Sequence, residues 1–101
     1  HGGRQLDAGE STIKPLTRIA EKYGKQIKVM MDSGLRGGPD IARTMASGAE
    51  FTFMGRSFMY GVAALGAKGG DHTISLLKTE LQQVMEQICC EEVKDFPNHL
   101  I

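Results

Sequence analysis

The opening segment HGGRQLD (residues 1–7) carries two side chains whose types and spacing suit acid–base chemistry on an anionic substrate. The imidazole of His1 can exchange a proton near neutral pH. The guanidinium of Arg4, three positions later, can hold a carboxylate through two parallel hydrogen bonds. The glycines between them allow backbone and substrate to approach closely. Taken as bare spacing, however, His-x-x-Arg is more often part of an ordinary surface loop.

Two later glycine-rich segments are suited to holding a phosphate. They are DSGLRGGPD (residues 32–40) and GRS (residues 55–57), and each follows a short apolar run and leads into a predicted helix. A helix N-terminus offers free N–H groups and the positive end of a dipole, and Arg36 adds a charge-assisted contact. Each segment alone is typical of a turn between a strand and a helix. Together they are compatible with a phosphate site, and ordinary turns between strands and helices are an equally good interpretation of the pattern.

The segments that must position these loops alternate between helical and extended patterns. Apolar spacing predicts a first helix that is capped by Ser11 or Thr12, runs to Tyr23 and is ended by Gly24 in a left-handed conformation. A second helix is predicted from Pro39, closed by Gly48. A short helix, Ser57–Leu65, follows. The last and longest helix is predicted to be capped by Asp71, with Pro97 preventing its continuation into the tail. Its apolar stripe is Ile74, Leu77, Leu81, Val84, Met85 and Ile88.

Two short runs, Ile27–Met31 and Phe51–Met54, are predicted as strands because each is apolar and is closed by turn residues. Strands that alternate with helices indicate a parallel α/β arrangement. Two strands alone cannot form a stable parallel sheet, because both faces and both edges need partners. We therefore expect the chain to be a piece of a longer protein, as its start at His1 rather than Met also suggests.

Composition excludes several other functions. The 12 basic and 12 acidic residues balance to a net charge of zero, which argues against a nucleic-acid-binding protein. No apolar run approaches the roughly 20 residues that span a bilayer. Cys89 and Cys90 are adjacent and cannot join distant parts of a fold, so we expect reduced thiols in a cytoplasmic protein. We expect no metal site.

The segments HGGRQLD, DSGLRGGPD and FMGRSF, in this order, resemble the FMN-dependent 2-hydroxy acid dehydrogenases and oxidases, which include flavin lactate dehydrogenases, lactate oxidase and glycolate oxidase. HGGRQLD is the most specific of the three, and the resemblance covers nearly the whole chain. It implies that residues 1–101 are the C-terminal portion of a (β/α)8 TIM barrel, comprising its last two strands and their helices and incomplete as a domain.

The resemblance also assigns roles. His1 is then the catalytic base, Arg4 binds the substrate carboxylate, and FMN is the cofactor. A tyrosine set, an aspartate that pairs with the base and a lysine near the flavin belong to the part of the protein before His1. The residues expected to bind the FMN phosphate are Asp32, Ser33, Gly34, Arg36, Gly55 and Arg56. The implied reaction is oxidation of a small, lactate-like L-2-hydroxy acid to the 2-keto acid by the full-length parent, the fragment alone being inactive.

Several properties stay open. The electron acceptor is oxygen, a quinone or a cytochrome. The resemblance implies a homo-oligomer, and membrane association of the cytoplasmic parent is undecided. One alternative is another FMN- or phosphate-binding barrel, such as a nucleotide dehydrogenase or an isoprenoid isomerase, but HGGRQLD argues against it. A second alternative is a non-enzymatic half-barrel that self-associates through its exposed apolar faces.

Overall fold

The fold contains one pair of parallel strands, which are connected by a helix. The structure is a computed structural model and describes residues 1–100. Strand β1 (Met30–Met31) pairs with strand β2 (Phe51–Thr52), with Met30 opposite Phe51. Helix α2 (Gly38–Ala46) makes the crossover that parallel strands require. The predicted alternation of strands and helices is therefore confirmed.

Three further helices and three short 3₁₀ segments complete the described chain. The helices are α1 (Ile13–Tyr23), α3 (Arg56–Leu65) and α4 (Gly69–Gln87), and the 3₁₀ segments are Gly2–Arg4, Gly66–Lys68 and Val93–His99. None of the helices within residues 1–100 combines the length and the apolar character needed to cross a membrane.

The strand pair buries only one of its two faces. Val29 and Met31 are buried against Leu16 of α1 and against Ala49. Successive side chains of a strand point to opposite faces, so Met30 lies on the other side and is 51% exposed. Phe51 is 54% exposed. The sheet therefore presents an apolar face that no described residue covers.

A second apolar cluster joins α2, α4 and the C-terminal 3₁₀ segment. Its buried members are Ala42, Cys90 and Phe96, and Leu81, Val84 and Met85 of α4 pack against them. Phe96 is only 1% exposed and is the most buried large side chain of the described residues. The tail after α4, which the sequence pattern left without a structural role, thus closes this cluster.

Several predicted helix ends agree with the structure and others are wrong. Gly48 follows α2 with a φ of 110°, as a left-handed closing glycine should. The prediction that Gly24 is left-handed is wrong, because its φ is −59°. Its N–H donates to the carbonyl of Ala20, which continues the helical hydrogen-bond pattern. Asp71 is not the cap of α4, which begins two residues earlier at Gly69. The 3₁₀ turn Gly66–Lys68 leads directly into α4 and leaves Asp71 within its first turn.

Other predicted elements differ in extent. Both strands are shorter than predicted, because only two residues of each pair in the ladder. Helix α4 ends before the tail, but the tail then forms a 3₁₀ helix with Pro97 inside it. Of the predicted apolar stripe of α4, Ile74 and Ile88 are 47% and 38% exposed. The part of the stripe that meets α2 is confirmed, and its two ends contact no apolar cluster of the described residues.

Candidate functional site

The three segments that the sequence singled out meet at one edge of the strand pair. Residues 32–37 follow β1 and lead into α2, and residues 53–55 follow β2 and lead into α3. The carboxyl ends of parallel strands share one edge of a sheet. His1 contacts the loop after β1, which brings the first segment to the same edge. The structure therefore brings together all three.

His1 pairs with the first residue of the loop after β1. Its Nδ1 contacts the carboxylate of Asp32, and its main-chain nitrogen lies 3.0 Å from Ser33 Oγ. Ser33 Oγ also donates a hydrogen bond to Asp32 Oδ1 at 3.3 Å. The resemblance placed the aspartate partner of this histidine before His1, and the contact with Asp32 was not predicted. Nε2 of His1 has no hydrogen-bond partner within residues 1–100.

A single 3₁₀ turn sets the position of Arg4 relative to His1. The N–H of Arg4 donates to the carbonyl of His1 at 3.1 Å. His1 is the N-cap of this 3₁₀ segment and Arg4 is its last residue, so the two residues are separated by one turn of backbone. The Arg4 side chain is exposed and forms no ion pair with any residue in the described range. It is available to an external anion.

The chain turns sharply at Ser33 and Gly34. Both have left-handed backbone conformations, with φ of 77° and 80°, and for a serine this is uncommon. A Cβ placed on Gly34 would meet no atom within 4 Å, and the same holds at Gly55 on the neighbouring loop. Both glycines therefore border open space at this edge of the sheet.

The N-terminus of α2 is closed by two carboxylates. Asp40 Oδ2 accepts hydrogen bonds from the N–H groups of Arg36 at 3.0 Å and Gly37 at 3.3 Å. Glu80 of α4 accepts the N–H of Gly38 at 2.6 Å. A negative charge at this helix end is favoured by the helix dipole. Three consecutive N–H groups are thereby used within the protein.

The N-terminus of α3 has a different environment. No acidic residue lies in its first turn, and Gly55 is its N-cap. The first N–H groups of a helix have no carbonyl one turn earlier to bond to. Ser57 Oγ donates to the carbonyl of Arg36 at 2.8 Å, which ties this helix end directly to the loop after β1. The N–H groups of residues 36–38 are thus paired with carboxylates, whereas no side chain caps the start of α3.

A groove of about 570 Å³ runs along this edge, a volume in the range of small-molecule sites. Four of the predicted residues line it: Arg4, Ser33, Gly34 and Arg56. The other predicted residues, namely His1, Asp32, Arg36 and Gly55, belong to the same loops without lining it. Among residues 1–100, no group of three or more His, Cys, Asp or Glu side chains is placed to hold a metal ion.

Sequence reasoning missed three polar residues of the site. Asp40 had a readable signal, because an acidic residue at the third helical position typically accepts N–H groups at the helix start. Glu80 had none, since it lies 42 positions from Gly38 and the contact depends on how α4 packs on α2. Ser57 was included in its segment without a role, and its bond to Arg36 spans 21 positions.

Comparison with known proteins gives a consistent result. A sequence profile of a family described as FMN-dependent dehydrogenase matches residues 1–101. The L-lactate dehydrogenase of Alcaligenes faecalis is 37% identical over 101 residues, covering 100% of this chain and 27% of that protein. The (S)-mandelate dehydrogenase of Pseudomonas putida is 41% identical over 101 residues, covering 99% of this chain and 25% of that protein.

The fold is also similar to a solved structure. A soluble mutant of the membrane-associated (S)-mandelate dehydrogenase from Pseudomonas putida superimposes with a TM-score of 0.90 at 39% identity. The match covers 98% of this chain and 28% of that one. The chain thus spans about a quarter of the length of the relatives that it matches.

Proposed function

Because this chain belongs to the FMN-dependent dehydrogenase family, we propose that it is the C-terminal part of a flavoenzyme that oxidises a small L-2-hydroxy acid to the 2-keto acid. The observation that carries the proposal is the meeting of three loops at one sheet edge. One loop holds His1 and Arg4, and the other two hold the glycines and arginines of a phosphate site. In this proposal, the substrate would bind at the first loop and the FMN phosphate at the other two, side by side.

The proposed place in the parent is the last two strands of a (β/α)8 barrel, with the helices that follow them. Met30 and Phe51 are more than half exposed on the uncovered face of the sheet, as residues that point into a barrel would be once its other strands are absent. The radius of gyration is 14.6 Å, against about 13 Å for a closed domain of 100 residues. Both features suit part of a larger fold.

At the substrate end, Arg4 would bind the substrate carboxylate through its free guanidinium, and His1 would accept the proton that the substrate loses. Asp32 holds Nδ1 of the imidazole, which leaves Nε2 for the substrate and stabilises the ring once it carries the proton. When bound, FMN would accept the two electrons released by the substrate. Orientation and proton transfer are the tasks of this chain.

At the phosphate end, the residues present fit the FMN phosphate. The space beside Gly34 and Gly55 is open, the first turn of α3 has free donors and no acidic residue, and Arg36 and Arg56 supply positive charge. Asp32 and Ser33 complete the predicted set, although in this structure both contact His1. They therefore stand between the phosphate end and the substrate end.

The test begins with the longest natural polypeptide that contains this sequence. We expect its purified form to show a flavin absorption spectrum and to oxidise lactate, glycolate or mandelate. Replacing His1 with Asn in that protein should lower turnover by about 100- to 10,000-fold, the usual contribution of a positioned base. His72→Asn is the matched control, because His72 is an exposed histidine of α4 away from the groove. Arg4→Lys should raise KM as well as lower kcat, since one ammonium cannot replace a two-pronged contact.

The opposite results are equally clear. A protein that self-associates through its apolar faces, binds no flavin and oxidises no 2-hydroxy acid would refute the proposal. Flavin binding with turnover of other substrates only would indicate a different FMN-binding barrel. The electron acceptor (oxygen, a quinone or a cytochrome), the homo-oligomeric state and a cytoplasmic or membrane-associated location stay predictions for the same preparation.

A further inference from the structure

We propose that Glu80, on the long helix α4, is a positioning residue for the phosphate end of the site. This inference rests on the function proposed above. The carboxylate of Glu80 lies at the start of α2 and accepts a hydrogen bond from the N–H of Gly38 at 2.6 Å, although the two residues are 42 positions apart in the sequence. The bond is partly buried. No other described side chain from outside the loop and α2 bonds to a backbone N–H of residues 36–38.

The close approach of α4 to this loop makes the contact specific. A Cβ on Gly37 would lie 2.7 Å from Glu80 Oε2, and one on Gly38 would overlap the backbone of α4. These two positions therefore admit only glycine while Glu80 stays where it is. The sequence Gly37-Gly38 is explained by the passage of α4, and not by an approaching phosphate.

Glu80 and Asp40 together decide which helix end is left for the anion. Their carboxylates use the N–H groups of residues 36–38, so these donors point toward α4 and into α2 rather than outward. The N–H groups at the start of α3 have no side-chain cap, and no acidic residue lies in its first turn. A phosphate is thereby directed to the side that carries Gly34, Arg36, Gly55 and Arg56.

Helix α4 holds both halves of the phosphate end at once. It fixes the loop after β1 through Glu80. It fixes α3, and with it the loop after β2, through a close backbone contact: a Cβ on Gly61 of α3 would lie 2.8 Å from the carbonyl oxygen of Gly69. Loss of the Glu80 contact would release one half while the other stays in place, and the spacing between the two arginines would no longer be set.

The experiment compares FMN with riboflavin, which has the same ring and ribityl chain and lacks the phosphate. Dissociation constants for both are measured on the apoprotein of the full-length polypeptide with Glu80 replaced by Ala, Asp or Gln. A hydrogen bond to a charged group typically changes an equilibrium roughly 10- to 100-fold. We expect E80A and E80D to raise the dissociation constant for FMN by about that factor and to leave the dissociation constant for riboflavin almost unchanged. E80Q should stay closer to wild type, because its amide oxygen still reaches the N–H of Gly38.

The matched control is Glu86→Ala, on the same helix. Glu86 is exposed, and its carboxylate accepts a hydrogen bond from Gln82, one turn away, at 2.8 Å. The E86A variant should bind both flavins normally. Should E80A fail to fold, the comparison of E80D with E80Q carries the test alone, since one keeps the charge and the other keeps the reach.

Three outcomes would overturn the inference. Equal losses for FMN and riboflavin would mean that Glu80 only stabilises the fold. Tighter FMN binding in E80A and E80Q would mean that the carboxylate merely repels the phosphate. Unchanged FMN binding in E80A would mean that the hydrogen bond between Glu80 and Gly38 does not contribute to phosphate binding. If the unsubstituted protein binds neither flavin, the proposed function itself is refuted, and this inference falls with it.

Discussion

Replacing Gly34 with Ala separates the binding role of this loop from its contribution to folding. Gly34 has a φ of 80°, and an alanine in the left-handed region costs about 1–2 kcal/mol. No atom lies within 4 Å of the added Cβ, so no steric cost arises in the free protein. The whole effect on the free energy of unfolding should therefore be the conformational term.

The effect on FMN should be larger. The added methyl group would stand in the open space that we assign to the phosphate, and it would displace that group from at least one donor. A charge-assisted hydrogen bond contributes about 1.5–3 kcal/mol, so the dissociation constant for FMN should rise roughly 10- to 100-fold. Riboflavin, which lacks the phosphate, should bind with nearly unchanged affinity.

Gly66→Ala is the matched control. Gly66 also has a positive φ, 60° with ψ of −131°, and a Cβ there likewise meets nothing within 4 Å. That backbone conformation is at least as unfavourable for alanine, so thermal unfolding of the apoprotein should show an equal or larger loss of stability. FMN binding, followed by flavin fluorescence in the full-length protein, should be normal. Equal FMN affinity of the two variants would refute the assignment of the phosphate to the space beside Gly34.

Two further substitutions test the C-terminal cluster through denaturant unfolding of the same protein. Phe96→Ala should lower the free energy of unfolding by about 3–5 kcal/mol, because the ring is 1% exposed; Leu100→Ala, at a position that is 61% exposed, should change it little, and similar values for both would contradict the packing described. Cys89→Gly should raise the free energy of unfolding by about 0.5–1 kcal/mol, because Cys89 lies just after the end of α4 and has a left-handed φ of 54°. A loss of stability in C89G would show that the thiol makes a contact that outweighs this strain.

The sequence predicted those parts of the fold that depend on local pattern. The apolar spacing of α2 and of the middle of α4 reflects faces that pack on neighbours, whereas Leu16 is the one buried residue of α1. Gly48 was predicted to close α2, and it follows that helix with a φ of 110°. Gly24 was predicted to end α1 in a left-handed conformation, and that prediction was wrong. Its φ of −59° shows that a glycine after a helix need not be left-handed when the chain continues into another turn.

Long-range packing was beyond the sequence pattern. Phe96 lies in a 3₁₀ segment with Pro97 inside it, where neither the helical nor the strand period applies, so its burial had no signature. Glu80 carried no signal in the sequence. What places it in the site is the crossing of α4 over the start of α2, which only the three-dimensional structure supplies.

The candidate site was located from motif spacing, but its internal contacts were not. The predicted loops do meet, because the ends of parallel strands must share an edge. The pairing of His1 with Asp32 was missed, since the motif assigned Asp32 to the phosphate and the partner of His1 to another part of the parent. The motif gives the position of Asp32 in the chain but not the side chain that it contacts in the folded protein.

The two ends of the site differ in how firmly this chain holds them. The phosphate loop is fixed from several directions, by Asp40, by Glu80 and by the Ser57 bond to the neighbouring loop. The turn that carries His1 and Arg4 is exposed throughout and, beyond its own backbone bonds, is joined to the described fold only through Asp32 and Ser33. Rotational freedom at the substrate end would cost catalysis heavily, because a base contributes only when it is positioned. Among the described residues, the loop that we propose for the phosphate is therefore held more firmly than the turn that we propose for the substrate.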